Sequence, residues 1–366
     1  MRLARLLSND LPRSRALALV LALIVLGLAL TPFLFPGTKA LNVAAKILVF
    51  IVLAASFDLL LGYTGIVSFA QTMFFGIGAY GVAIASTRLG AGWGALALGV
   101  AAALALSLLL SLLIGLFSLR VKAIFFAMIT LAVASAFLTL ASQLSEFTGG
   151  EDGLTFKVPE ALQPATAYLE QPLFGASVDG RFVAYYALFA AALLLVLALL
   201  RIVNAPFGRV LQAIRENDFR AEAIGYRTVV YRTLASVLSA LFATLAGVLL
   251  ALWLRYNGPD TTLSFEIMLD VLLIVVIGGM GTIYGAVIGS ALLVLAQNYL
   301  QDLMKLASLQ TASALESVPL LAPVLSALLS PDRWLLWLGI LFVLSVYHFP
   351  AGVVGRLRAA REEARR

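Results

Sequence analysis

Ten long apolar stretches, separated by short polar or glycine-rich pieces, run the length of the chain. They are Ala16–Leu34, Asn42–Leu61, Ile66–Thr87, Ala95–Leu119, Ala123–Gln143, Phe182–Arg201, Thr233–Leu254, Phe265–Gly279, Thr282–Leu300 and Trp334–Phe349. A helix needs about 20 apolar residues to cross the hydrocarbon core of a bilayer. Most of the runs reach that length, and the eighth and tenth fall short. The pattern predicts an all-α, polytopic membrane bundle of about ten transmembrane helices. These form a single domain over residues 1–355, with a basic tail at 356–366. The basic start before Ala16 resembles a secretory signal, but such signals have apolar cores of only about 7–15 residues. An uncleaved first span is the better reading, a cleaved signal the alternative.

Charge orients the bundle. If the N-terminus is inside, the inner pieces are the N-terminus, 62–65, 120–122, 201–232, 278–281 and the C-terminal tail. They hold 17 of the 25 Lys and Arg residues, leaving only Lys39, Lys46, Arg88, Lys157, Arg181, Arg255, Lys305 and Arg333 elsewhere. Cytoplasmic loops carry the excess of basic residues, so both termini are expected inside. Two external segments stand out. Leu144–Arg181 is rich in Gly, Pro and acidic residues and reads as a structured outer loop. Gln301–Arg333 mixes Asp302, Lys305 and Glu316 with leucines. It reads as an amphipathic helix along the outer interface, or as a partly re-entrant eleventh element.

Composition narrows the chemistry. The chain is 62% hydrophobic and 12% charged, against about 25% charged in soluble domains. Its net charge of +6 serves orientation and headgroup contact, not nucleic acid. There is no cysteine and one histidine, His348, so thiolate catalysis, disulfides and the usual metal-ligand sets are excluded. None of the five lysines follows a glycine, so the chain has no phosphate-cradling P-loop. Any ATP-driven work falls to another subunit.

What remains is polar punctuation. Gly62-Tyr63-Thr64-Gly65 and Gly278-Gly279-Met280-Gly281 break the chain on the same side and echo one another, as internal repeats in transporters do. Freed backbone groups cannot be satisfied in hydrocarbon, so Gly62, Gly65, Gly278, Gly279 and Gly281 belong inside the bundle. There they either pack helices or line a translocation path. Asp58 should face the interior beside the Gly62 break, and Gln71 adds a polar group of uncertain role. Lys46, near a helix start, can snorkel outward. Glu266 and Asp270 are four apart on one helix face, forming either an outer vestibule or an interfacial edge.

The most informative polar stretch is Asn204–Arg232, with Arg209, Arg215, Arg220, Arg227 and Arg232 beside Glu216, Asp218 and Glu222. Asn217 is placed to cap a short helix Asp218–Ile224, with Asp218 at its positive end and Gly225 at its C′ position. Phe219, Ala223 and Ile224 give it an apolar side. The helix either rests on headgroups or docks into a soluble partner.

Five blocks now resemble a known family: LLLGYTGIVSFAQTMFFGIGAYGVA (59–83), FTGGEDGL (147–154), FGRVLQAIRENDFRAEAIGY (207–226), IGGMGTIYGAVIGSAL (277–292) and FPAGVVG (349–355). In this order they resemble the permeases of high-affinity branched-chain amino acid ABC importers, in particular the longer of the two membrane subunits. The resemblance implies a bacterial inner-membrane protein that binds no cofactor of its own. Its expected partners are a second homologous permease, two cytoplasmic ATPases that hold the ATP, and an extracytoplasmic substrate-binding protein. It assigns Arg209, Arg215, Glu216, Asp218, Glu222 and Gly225, with the neighbouring Asn217 and Arg220, to ATPase coupling. The same architecture also serves urea and short amides. From another class, an ion-coupled secondary transporter or channel would use Asp58, Glu266 and Asp270.

Overall fold

The computed structural model describes residues 14–35, 37–118, 123–169, 178–314, 330–349 and 351–363. Its helices are α1 (Arg15–Leu34), α2 (Thr38–Thr64), α3 (Gln71–Leu89), α4 (Trp93–Ser118), α5 (Ala123–Gln143), α6 (Gly180–Asn204), α7 (Pro206–Glu216), α8 (Asp218–Ala223), α9 (Thr228–Leu254), α10 (Phe265–Gly278), α11 (Ile283–Ala314), α12 (Trp334–His348) and α13 (Gly352–Glu363). Among the described residues, nine helices are long and apolar enough to cross a membrane. The remaining expected span, α3, is not one of them. Its glycines, Gln71 and Arg88 lower its apolarity, and protein surrounds it in place of lipid.

α2 is the axis of the bundle. It is apolar on every side, which in a helix signals burial all round, and nearly its whole length is buried. α3, α6, α9, α10 and α11 pack around it. α3 and α9 cross with almost no space between backbones. A Cβ on Gly78 would lie 1.9 Å from the Thr244 carbonyl oxygen, and one on Gly247 would lie 1.8 Å from that of Phe75. Small residues allow this approach where hydrocarbon offers no hydrophobic drive to helix association. At the periphery, α1, α4 and α12 turn Leu23, Leu109 and Leu341 outward, as lipid-facing helices should.

The two ends of the bundle are distinct. At one, strand β1 (Leu154–Thr155) pairs antiparallel with β2 (Tyr256–Asn257), and Arg88 donates to the Glu146 carbonyl oxygen at 2.5 Å. Lys39 meets Asp302 at 2.5 Å at this end, and Asn42 accepts from Arg181 and Trp253. The loop 144–181, expected outside, is therefore structured wherever it is described. At the other end, the two glycine breaks, α7 and α13 come together. This grouping matches the alternation of ten crossings.

Two expectations change. The third helix begins at Gln71, not Ile66, because Gly65 ends α2 in the left-handed conformation (φ 73°). The connecting Phe69 amide finds its partner outside the helix, on Thr130 Oγ1 at 3.0 Å. Residues 301–314 are no separate interfacial helix. They extend α11 without a break, since the stretch from Leu300 to Ala314 contains no glycine or proline and many good helix formers; 315–329 lie outside the described residues. The residues just before the tail pack against the bundle. α13 starts before residue 356, buries Val354 fully, and its Gly352 sits against Gly279, where a Cβ would meet the Gly279 Cα at 2.3 Å.

Candidate functional site

Asp58 is 1% exposed and lies one turn before Gly62 on α2. Across from it, the chain breaks between α10 and α11 with Gly279 and Gly281 at positive φ. That break frees amides which the bilayer interior cannot satisfy. Asp58 Oδ1 takes one of them, the Gly281 N–H, at 2.8 Å. Thr282 organises the rest, donating to the Gly279 carbonyl oxygen at 2.8 Å and accepting from the Gly285 amide at 3.1 Å. Gly62 closes the contact: a Cβ there would lie 2.1 Å from Asp58 Oδ1 and 2.2 Å from the Gly281 nitrogen. The two breaks that echo in sequence thus touch in space. Together they form one tightly packed glycine contact, here termed the gate, at that end of the bundle.

Asp58→Ala leaves the half-buried Gly281 amide without its acceptor, at a cost of about 1–3 kcal/mol. Asp58→Asn keeps an accepting oxygen. Thermal unfolding of the detergent-purified chain should show a clear loss for the alanine variant and a small one for asparagine; equal midpoints would remove Asp58 from the gate.

α7 and α8 form a knuckle beneath this gate. Pro206 occupies the first turn of α7, where no amide partner is needed, and Gly208, Leu211 and Ile214 bury one face against the bundle. Phe207 stacks on Tyr231, centroids 5.9 Å apart. Asn217 Oδ1 accepts from the Arg220 amide at 2.9 Å, and Gly225 adopts φ 100°. The cap and the turn fall where the sequence places them. Two of the predicted contact residues also make contacts within the knuckle. Asp218 pairs with Arg232 at 3.0 Å, and Glu222 accepts from the Thr228 hydroxyl at 2.7 Å. Arg209, Glu216 and Arg220 are exposed. Phe219 and Ile224, at 86% and 71% exposure, present bare apolar surface.

Arg215 has a second connection. The residue is exposed overall, yet its Nη1 donates to the Gly62 carbonyl oxygen. Its side chain runs alongside Gly65 and ends beside Gly281, so that a Cβ on either glycine would meet it at 3.2 Å. One arginine on the knuckle therefore touches both halves of the gate.

Gln71 lies in a buried polar knot. Its Nε2 donates to Ser56 Oγ at 2.6 Å and Ser239 Oγ at 3.2 Å, and Ser239 donates to the Ser56 carbonyl oxygen at 2.6 Å. The knot ties α2, α3 and α9. Ser56 and Ser239 were not singled out in the sequence; small hydroxyls at close helix crossings were the available signal.

At the outer end, Glu266 and Asp270 line a cavity of about 640 Å³. They share it with Lys39, Asn42, Lys46, Trp253, Asp260 and Asn298. Asp270 Oδ1 accepts from Gln297 Nε2 at 2.7 Å. Lys46 stands about two turns inside α2, because that helix starts at Thr38 and not near Asn42. It faces the cavity and lies over the Phe50 ring at 5.3 Å.

The family model described as "Branched-chain amino acid transport system / permease component" matches residues 39–345. The chain belongs to this family. The permease is 27% identical over 298 residues to the high-affinity branched-chain amino acid transport system permease protein LivM of Salmonella typhimurium, covering 77% of this chain and 68% of the relative. It is 28% identical over 301 residues to the Escherichia coli protein of the same name, with the same coverage. A probable branched-chain amino acid transport permease protein LivM of Methanocaldococcus jannaschii is 25% identical over 239 residues, covering 65% of this chain and 61% of that one. No solved structure matches.

The matched segment of the permease includes the gate, the knuckle and the outer cavity. Several of its buried polar groups tie helices together or satisfy broken backbone, as Gln71, Ser239 and Asp58 do. The geometry is that of a polytopic helical bundle.

Proposed function

We propose that this permease is the membrane-spanning subunit of an ATP-driven importer for leucine, isoleucine, valine and related small amino acids. Its partners are a second, similar permease, two cytoplasmic ATPases and an extracytoplasmic binding protein, in a bacterial inner membrane. The ATPases dock on the bare Phe219 and Ile224 surface of the knuckle. Their closure shifts α7, and Arg215 carries that shift to the Gly62–Gly281 contact, parting the gate. Two packed arrangements biased from a distant nucleotide site constitute ordinary allosteric coupling. The observation that carries this reading is the bridge from Arg215 to Gly62 and Gly281.

Orientation and energy source are both testable. The chain has no cysteine, so a single Phe219→Cys variant reports its own side of the membrane. It should react with an impermeant maleimide only from the cytoplasmic face. Leucine uptake by vesicles holding the assembled importer should require ATP and stop with vanadate. Uptake that ignores vanadate and collapses with a protonophore would place the protein among ion-coupled transporters.

A further inference from the structure

The outer cavity holds both signs of charge. Lys46 comes from α2, while Glu266 and Asp270 come from α10, and all three line the same space. Lys46 is close enough to Asp270 to attract it electrostatically, but among the described residues no ion pair joins them within 4.0 Å. Lys39, by contrast, is committed to Asp302. Lys46 is half-buried and about two turns inside a spanning helix. Ionisable groups at such depth normally pair with one another or face a water-filled path used by a solute. The same cavity has apolar lining: Phe50, Leu250 and Trp253, each almost fully buried.

We propose that this cavity is a transient binding site for a small zwitterion, an α-amino acid with an apolar side chain. The Lys46 ammonium receives the carboxylate, Asp270 receives the α-ammonium, and the Phe50–Leu250–Trp253 wall receives the side chain. Opposite charges lining one cavity suit a molecule that carries both. The volume is far larger than one such ligand needs, so the site holds it weakly and with water around it. A conduit requires that: binding strong enough to enter and weak enough to leave. The class of ligand rests on the importer reading above, whereas the site itself does not.

The test is saturation-transfer NMR on the full chain, purified with its partner permease and without binding protein. The probes are leucine, leucinamide (no carboxylate) and isocaproate (no ammonium). Leucine should give a signal that the two analogues lack. Losing one charge-assisted contact weakens binding by about tenfold or more, so Lys46→Gln and Asp270→Asn should each lose the signal. Lys46→Arg should keep it. Equal signals from all three probes, or a leucine signal unchanged in Lys46→Gln and Asp270→Asn, would overturn the site. Vesicle uptake separates the two ideas. Leucine binding without uptake by the wild-type importer leaves the site and sinks the importer reading. Uptake unaffected by both variants, with no binding signal, does the reverse.

Discussion

Gly62→Ala is expected to reduce leucine uptake to background and to lower the melting midpoint of the purified chain by several degrees. The added methyl would lie 2.1 Å from Asp58 Oδ1, 2.2 Å from the Gly281 nitrogen and 2.6 Å from the Gly281 Cα. Two of these are backbone atoms in a break fixed at positive φ, so no flexible side chain can swing away. Overpacking of this kind costs about 1–3 kcal/mol. Here it also pushes apart the Asp58–Gly281 hydrogen bond, and such a bond contributes about 0.5–1.5 kcal/mol. Gly27→Ala supplies the control, since a Cβ there meets nothing within 4 Å and should change neither quantity. If Gly62→Ala transports and melts like the parent, the two breaks do not pack as described.

The second large effect separates assembly from coupling. Arg215→Ala should leave the ATPases bound and hydrolysing ATP while uptake falls by more than about tenfold, the cost of removing one charge-assisted contact at the gate. Lysine is a point charge without the planar fork of arginine, so Arg215→Lys should restore uptake only in part. Phe219→Glu with Ile224→Glu should do the opposite, abolishing co-purification of the ATPases. These side chains are 86% and 71% exposed, and changing them disturbs no internal packing. Loss of ATPase binding in Arg215→Ala would assign that residue to the docking surface, as the sequence resemblance had it.

Much of the bundle could be read from the chain because membrane helices announce themselves by apolar length, a constraint that tertiary packing does not override. The cap at Asn217 and the turn at Gly225 were equally legible, being local backbone requirements. Lateral information was weaker. A glycine break shows that a helix ends but not what fills the space, so the meeting of Gly62 with Gly281 lay beyond the pattern. Nor does an arginine side chain show by its type whether it faces a partner or its own bundle, and so Arg215 was read only as a docking residue. Lys46 looked like an ordinary snorkelling lysine until helix α2 proved to begin one turn earlier, at Thr38. Residues 301–314 looked like a surface helix because their charges interrupt the apolar run, although nothing in them stops a helix. Ser56 and Ser239, one small hydroxyl each, carry too little signal to be found without the crossing that joins them.

The coupling claim is tested most directly at Leu61, half-buried beside the gate. In the assembled importer, the thiol of a Leu61→Cys variant should react with a maleimide at a rate that changes on addition of ATP and vanadate. In the same variant carrying Arg215→Ala, that nucleotide dependence should disappear although the ATPases remain bound. A nucleotide response of the same size with Arg215 removed would contradict the account.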